Sequence, residues 1–266
     1  VRKVGEDMLQ GQLVWPAERV VSPADIAACL AVAADQVRVF ARPKVCVIPT
    51  GSEIVDSADE LPPGSIRDIN SYMLAALFGN WGAVVRRHPV VADDREGLRQ
   101  AIAKVLPKND LVVINAGTSG GTEDFTATVL AGLGRVCCHG VAIRPGRPVI
   151  LAVVQGKPVL GLPGYPVSCM LTAELFTQEL LHEFQRKPLP RRQTVQARLS
   201  RAVESRLGAE EFLRVSLEAG SPHPMATPLA RGASLISTLT RAQGLLRIGP
   251  DTDSLSAGEI VAIELF

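Results

Sequence analysis

The stretch Asp110–Phe125, DLVVINAGTSGGTEDF, opens as an apolar run of strand length and passes directly into a turn of glycines and hydroxyls. Leu111 to Ile114 are consecutive apolar residues, without the polar alternation of a sheet that faces water on one side, so the strand reads as buried on both faces. A helical pattern, FTATVLAGLG, follows and is closed by Gly132 and Gly134. Strand, glycine-rich turn and helix in that order make a parallel α/β unit, with the turn at the carboxyl end of the strand.

The same alternation continues on both sides. KVCVIPTG (44–51), AVVRRHPVV (83–91), PVILAVV (148–154) and PVLGLPG (158–164) read as strands. Between them lie helical patterns: NSYMLAALFGNWG, begun by Asn70, DDREGLRQAIAKVL, with acids in its first turn, and the long PVSCMLTAELFTQELLHEF from Pro166. The expected fold class is α/β, a mostly parallel sheet with helices on both faces. Upstream, residues 1–40 read as extended chain plus one helix, with Ser22 as N-cap and Pro23 at its first position. Downstream, the basic, proline-broken QRKPLPRRQ precedes short alternating runs, TVQARLS, EFLRVSLEAG, GLLRIGP and EIVAIELF, which predict a small all-β domain. The expected divisions are therefore 1–40, 41–186 and 187–266.

Nearly half of the residues are apolar and the net charge is +1, which gives no electrostatic reason to expect nucleic acid or an anionic membrane as partner. The five cysteines, Cys29, Cys46, Cys137, Cys138 and Cys169, are odd in number and form no C-x-x-C pair. That favours reduced thiols and a cytoplasmic location. CCH at 137–139 reads as strand, because three consecutive side chains do not converge on one tetrahedral ion. No apolar run approaches the roughly 20 residues that span a bilayer, and there is no signal peptide. The first residue, Val1 rather than Met, hints at a fragment or a processed product.

Ligands of open parallel sheets bind beyond the carboxyl ends of the strands, and the unusual loops fall there: PTGSEIV, VVADD, NAGTSGGTED and LPGYPVS. Gly117, Gly120 and Gly121 permit close backbone approach, Thr118, Ser119 and Thr122 add hydroxyls, and the next helix lends its positive end, so an oxyanion or phosphate fits. The turn is neither a Walker loop nor the dinucleotide fingerprint. Glu123 and Asp124 repel a phosphate unless a divalent cation such as Mg²⁺ mediates; as first-turn acids they equally serve as helix caps, and Asp93 and Asp94 share that ambiguity. Pro163, Gly164 and Pro166 set a rigid turn ahead of Ser168, while Arg144 and Arg147 sit on a proline-stiffened loop suited to an oxyanion. Glu53 reads either as a surface acid or as part of this edge. The residues alone specify an oxyanion or nucleotide site at a sheet edge with Mg²⁺.

Five segments in register carry a resemblance: VRKVGED, PTGSEIV, NAGTSGGTED, RPGRP and PGYPVS, followed by GAEEFLRV and LISTLTRAQGLLRI. Over the whole chain the sequence resembles the molybdopterin molybdenumtransferase family (MoeA and the gephyrin E domain). The resemblance implies insertion of molybdate into adenylylated molybdopterin with release of AMP, dependent on Mg²⁺, in a homodimer. It implies catalytic roles for Asp124, Asp93, Glu53 and Asp7, with Asp124 binding Mg²⁺. Thr50, Gly51, the 117–121 turn, Arg144 and Arg147 would contact substrate, and Pro163, Gly164, Pro166 and Ser168 would line the molybdate end. The opening segment stands where the family has already completed a large N-terminal domain, so that domain is expected to lie outside this sequence. Departures from the family pattern are Asn115-Ala116-Gly117 for Ser-Gly-Gly, Tyr165 for Asn and Gln243 for Asn, which leave tungstate open as the oxyanion. The alternative is a non-catalytic molybdopterin- or nucleotide-binding scaffold of the same fold.

Overall fold

The computed structural model describes residues 3–56, 60–115 and 122–266, with residues 122–124 described for the backbone alone. A short helix, α1 (Pro23–Ala31), begins at a reciprocal capping box: the Ser22 hydroxyl accepts from the Asp25 amide and the Asp25 carboxylate accepts from the Ser22 amide. Arg19 donates twice to the same carboxylate, and the Ser22 amide bond in particular holds its pKa below the usual carboxylate range.

The α/β domain contains strands β1 (Lys44–Pro49), β2 (Ile54–Val55), β3 (Ile66–Arg67), β4 (Val84–Arg87), β5 (Leu111–Asn115), β6 (Arg135–His139), β7 (Ile143–Arg144), β8 (Ile150–Val154) and β9 (Lys157–Leu162). Its helices are α2 (Asn70–Asn80), α3 (Arg95–Val105), α4 (Thr122–Leu133), α5 (Pro166–Thr172) and α6 (Gln178–Phe184), the last two joined by a π-helical turn, Ala173–Thr177. One sheet runs in the order β4-β1-β5-β9-β8-β6. Its first four strands are parallel, and β8 runs antiparallel to both β9 and β6.

Side-chain alternation along the central strands builds two cores. Val45, Val47, Leu111 and Val113 face Leu74 and Phe78 of α2 and Cys169 and Leu181 of α5 and α6. Cys46, Ile48, Val112 and Ile114 face the opposite way, onto Leu98 and Ile102 of α3 and Val129 and Leu130 of α4. A strand covered on both faces has no polar side to display, which explains the unbroken apolar run of 111–114.

The C-terminal region contains β10 (Thr194–Leu199), β11 (Val203–Glu204), β12 (Glu210–Glu218), β13 (Met225–Pro228), β14 (Gly244–Ile248), β15 (Ser254–Leu255) and β16 (Ile260–Leu265), with a short helix, α7 (Ser237–Arg241), that the alternating pattern does not announce. The order β13-β10-β16-β14-β12 closes through a β12–β13 pairing into a small barrel around Leu213, Val215, Leu246 and Ile263. Closure removes the exposed edges that a small sheet would otherwise carry. Strand β7, from the α/β domain, pairs in parallel with β12, Ile143 opposite Glu210 and Arg144 opposite Glu211. The loop carrying Arg144 and Arg147 is thereby held by both domains, and Ile143 packs with Leu171, Phe212 and Leu245 across the junction.

Candidate ligand cleft at the carboxyl edge of the sheet

Asn115, the last residue of β5, is the hub of the sheet edge. Its carbonyl accepts from the Thr50 amide at 2.9 Å, joining the loop after β1 to the loop after β5. Its side-chain amide donates to the Pro163 carbonyl at 3.0 Å, and its Oδ1 accepts from Asn70 Nδ2 at 3.0 Å. Asn70 Nδ2 also donates to the Gly164 carbonyl at 2.6 Å. Asn70 thus does not cap α2, as its position at the start of that helix suggests; its side chain turns into the cleft. Asp68 takes the capping role instead, its Oδ1 accepting from the Ser71 amide at 3.0 Å.

The loop after β4 joins from the other side. The Gly51 amide donates to the Val91 carbonyl at 3.0 Å, the Ser52 amide donates to Asp93, and the Asp93 amide donates to Ser52 Oγ at 3.1 Å. Asp94 is the N-cap of α3, accepting from the Glu96 and Gly97 amides. The adjacent acids therefore separate: Asp94 serves the helix, while Asp93 lies at the loop edge beside Ser52 and Glu53.

A brace behind the edge fixes the β2–β3 ribbon that Glu53 leads into. Tyr72 donates its hydroxyl to Asp56 at 2.7 Å, and the Arg87 guanidinium lies 3.4 Å from the Tyr72 ring centroid. Arg87 also reaches Asp56 and the buried Asp68. Cys169 lies under the hub, within 3.3 Å of Asn115 Nδ2. Complete burial, reinforced by the negative charge of Asp68, raises its pKa far above that of a free thiol, so it stays protonated and inert.

Two cavities open along this edge. One, of about 460 Å³, has a polar floor of Thr50, Asn70 and Asn115, and its lining joins the apolar Ile66, Tyr165 and Ile236 to the charged Arg67 and Asp68. The other, of about 910 Å³, is lined by Arg144, Arg147, His139, Ser168, Gly208 and Ala233 among others, and no acidic residue lines it. Among the described residues no carboxylate pairs with either arginine. The cavities adjoin across the first turn of α5 and the 233–234 loop, where the Val167 amide donates to the Ala233 carbonyl at 3.0 Å. Gly146, at φ +109°, lets the arginine loop sit directly on α5: a Cβ there would come within 2.6 Å of Thr172 Cγ2.

Of the residues singled out from sequence, Thr50, Gly164 and Pro166 line the smaller cavity, and Arg144, Arg147 and Ser168 the larger. Pro163 is buried behind the turn, Gly51 and Asp93 belong to the joined loops, and Glu53 is half-buried beside Gly51. Gly117, Thr118, Ser119, Gly120 and Gly121 lie outside the described residues, and Asp124 is placed by its backbone in the first turn of α4. Asp7 lies exposed in the N-terminal segment, from which no residue lines either cavity. Asn70 and Asp68 were not singled out from sequence. The only hint was a pair of polar residues just ahead of an otherwise apolar helix.

The fold is an α/β domain whose parallel strands end at a cleft bounded by a β barrel, the place where open sheets of this class take their ligands. Residues 46–183 match the probable molybdopterin binding domain and residues 196–266 the MoeA C-terminal region (domain IV), so the chain belongs to the molybdopterin-binding domain family and carries a MoeA-type C-terminal domain. It is 31% identical to a putative molybdopterin biosynthesis protein of Methanocaldococcus jannaschii, over 100% of this chain and 65% of that protein. It is 30% identical to molybdopterin molybdenumtransferase 1 of Mycobacterium tuberculosis, over 99% of this chain and 64% of that protein. A solved molybdopterin biosynthesis MoeA protein from Pyrococcus horikoshii superposes with a TM-score of 0.84 at 37% identity, covering 98% of this chain and 64% of that one. The chain thus spans slightly less than two thirds of the length of these relatives.

Proposed function

We propose that this chain is the substrate-binding and catalytic part of a molybdopterin molybdenumtransferase, which inserts molybdate into adenylylated molybdopterin and releases AMP with Mg²⁺. The observation that carries the proposal is the pairing of an acid-free arginine cavity with a polar-floored cavity at the hydrogen-bonded sheet edge. A ligand with an oxyanion at one end and a ring system with phosphates at the other matches that layout. The names borne by the Mycobacterium tuberculosis relatives support the same reading.

In this proposal Arg144 and Arg147 hold the oxyanion through charge-assisted hydrogen bonds, molybdate with tungstate as a close analogue. Asn115, Asn70 and the Pro163–Gly164 turn fix the floor on which the substrate rests. Among the described residues no group of three His, Cys, Asp or Glu converges as a ready metal cage. Mg²⁺ does not require one, because it is held by one or two carboxylates together with phosphate oxygens and water. Asp124 at the head of α4, with Asp93 and Glu53 on the joined loops, supplies hard oxygen donors of that kind. When bound, Mg²⁺ would supply charge neutralisation for the attack of water on the phosphoanhydride, which leaves AMP and the phosphate of the pterin as products. Exposed Leu13, Val14 and Val20 of the N-terminal segment would be covered in a homodimer.

The proposal is tested by incubating the protein with adenylylated molybdopterin and resolving AMP chromatographically. AMP should appear only when both Mg²⁺ and molybdate are present. AMP formation no faster than without protein would overturn the reading.

A further inference from the structure

We infer that Tyr165 is the ring-stacking residue of the smaller cavity and selects the planar heterocycle of the ligand, an inference that rests on the function proposed above. The chain has two tyrosines. Tyr72 is engaged on both its hydroxyl and its ring face by Asp56 and Arg87. Tyr165 is 46% exposed, and among the described residues no side-chain hydrogen bond or ring contact engages it. It also stands at the N-cap of α5 and makes no side-chain cap. Asn, Asp, Ser and Thr are the residues that stabilise that position. A large aromatic that forgoes the cap and stays half in water breaks a local stability rule, and such breaks concentrate where a ligand is met.

Its surroundings specify the ligand. Ile66, Ile69 and Ile236 are also exposed and line the same cavity together with Arg67 and Asp68, so apolar side chains flank Tyr165 while polar and charged groups join the floor of Thr50, Asn70 and Asn115. Apolar side chains beside hydrogen-bonding and charged groups suit a flat heteroaromatic ring that presents its face to Tyr165 and the isoleucines and its polar edge to the amides. The adjoining arginine cavity fixes the orientation: the ring lies against Tyr165 and the oxyanion end points past Ser168 toward Arg144 and Arg147. Adenine and pterin share the required ring chemistry, and the test separates them.

Calorimetric titrations of the chain with AMP, with 6-hydroxymethylpterin and with molybdate are compared for the parent, Tyr165→Asn and Tyr165→Phe. Tyr165→Asn should weaken at least one ring probe by about tenfold or more, as loss of a stacking face does, while molybdate stays within about twofold. Tyr165→Phe should retain parental affinity, and ligand-free Tyr165→Asn should melt no lower than the parent because the cap is restored. The probe that is lost identifies the ring. The inference is overturned if both ring probes bind Tyr165→Asn as they bind the parent, if molybdate affinity falls equally, or if neither ring probe binds the parent. AMP release from adenylylated molybdopterin with unchanged ring affinity in Tyr165→Asn would sink this inference alone. Ring affinity lost in Tyr165→Asn without any AMP release by the parent would sink only the proposed reaction.

Discussion

At the residue scale the cleft depends on the side-chain amides of Asn115 and Asn70, although Asn70 Oδ1 is itself buried without a partner among the described residues. Asn115 receives the Asn70 amide, supplies its own to Pro163 and gives its carbonyl to Thr50, so one side chain and its backbone secure three neighbours. Asn115→Ala strands the Pro163 carbonyl and one Asn70 proton in a buried site, at a cost of about 1–3 kcal/mol for each unsatisfied group. The urea midpoint should fall accordingly; an unchanged midpoint would show that the hub contributes nothing to the edge. Asp124 tests charge rather than structure. Asp124→Asn is isosteric, so the protein should keep its melting temperature and lose Mg²⁺-dependent AMP release. AMP release at the parental rate in that variant would remove Asp124 from the proposed chemistry.

At the element scale, the loop between β7 and β8 is placed by contacts on two sides, and Gly146 is where it meets α5. Ala at that position must adopt a left-handed backbone and displace Thr172, a strain of about 1–2 kcal/mol or more. Gly146→Ala should therefore weaken molybdate binding although both arginines remain. Parental affinity in that variant would mean that the loop's position is immaterial. The elements themselves were legible because their causes are local: the 111–114 run, the glycines after α2 and α4 and the Ser22–Pro23 start each follow from neighbouring residues. What escaped the sequence depends on distant partners. Asn70 looks like a helix-starting residue until Asn115 and Gly164 are in place, and Asp93 and Asp94 are alike until one meets the α3 amides and the other Ser52. Strand β7 has two residues and exists because β12 lies beside it. The π-helical turn within the long final helix of the α/β domain likewise leaves no trace in its apolar periodicity.

At the scale of the whole molecule, the barrel completes the cleft. Gly208, Ala233, Ser234 and Ile236 come from the C-terminal region and line the two cavities with strand-end loops of the sheet. The strand-end rule made the sheet side of this cleft legible, whereas the barrel's share requires the tertiary pairing of β7 with β12. Because Arg147 lies in the loop and Arg144 at the end of the two-residue strand β7, neither within a core, replacing both by Ala should leave the ligand-free melting temperature almost unchanged, as partly exposed charges contribute about 0–1 kcal/mol. Molybdate affinity should fall by at least about tenfold, since charge-assisted hydrogen bonds are lost. A double variant that binds molybdate normally would place the oxyanion elsewhere. The central claim, one continuous ligand site running along the sheet edge into the arginine cavity, is tested most directly by a crystal structure of the chain with AMP, Mg²⁺ and molybdate. The account predicts molybdate between Arg144 and Arg147, and the nucleotide across the edge formed by Thr50, Asn115 and Gly164. Either ligand ordered at a different surface, with this edge left to solvent, would contradict it.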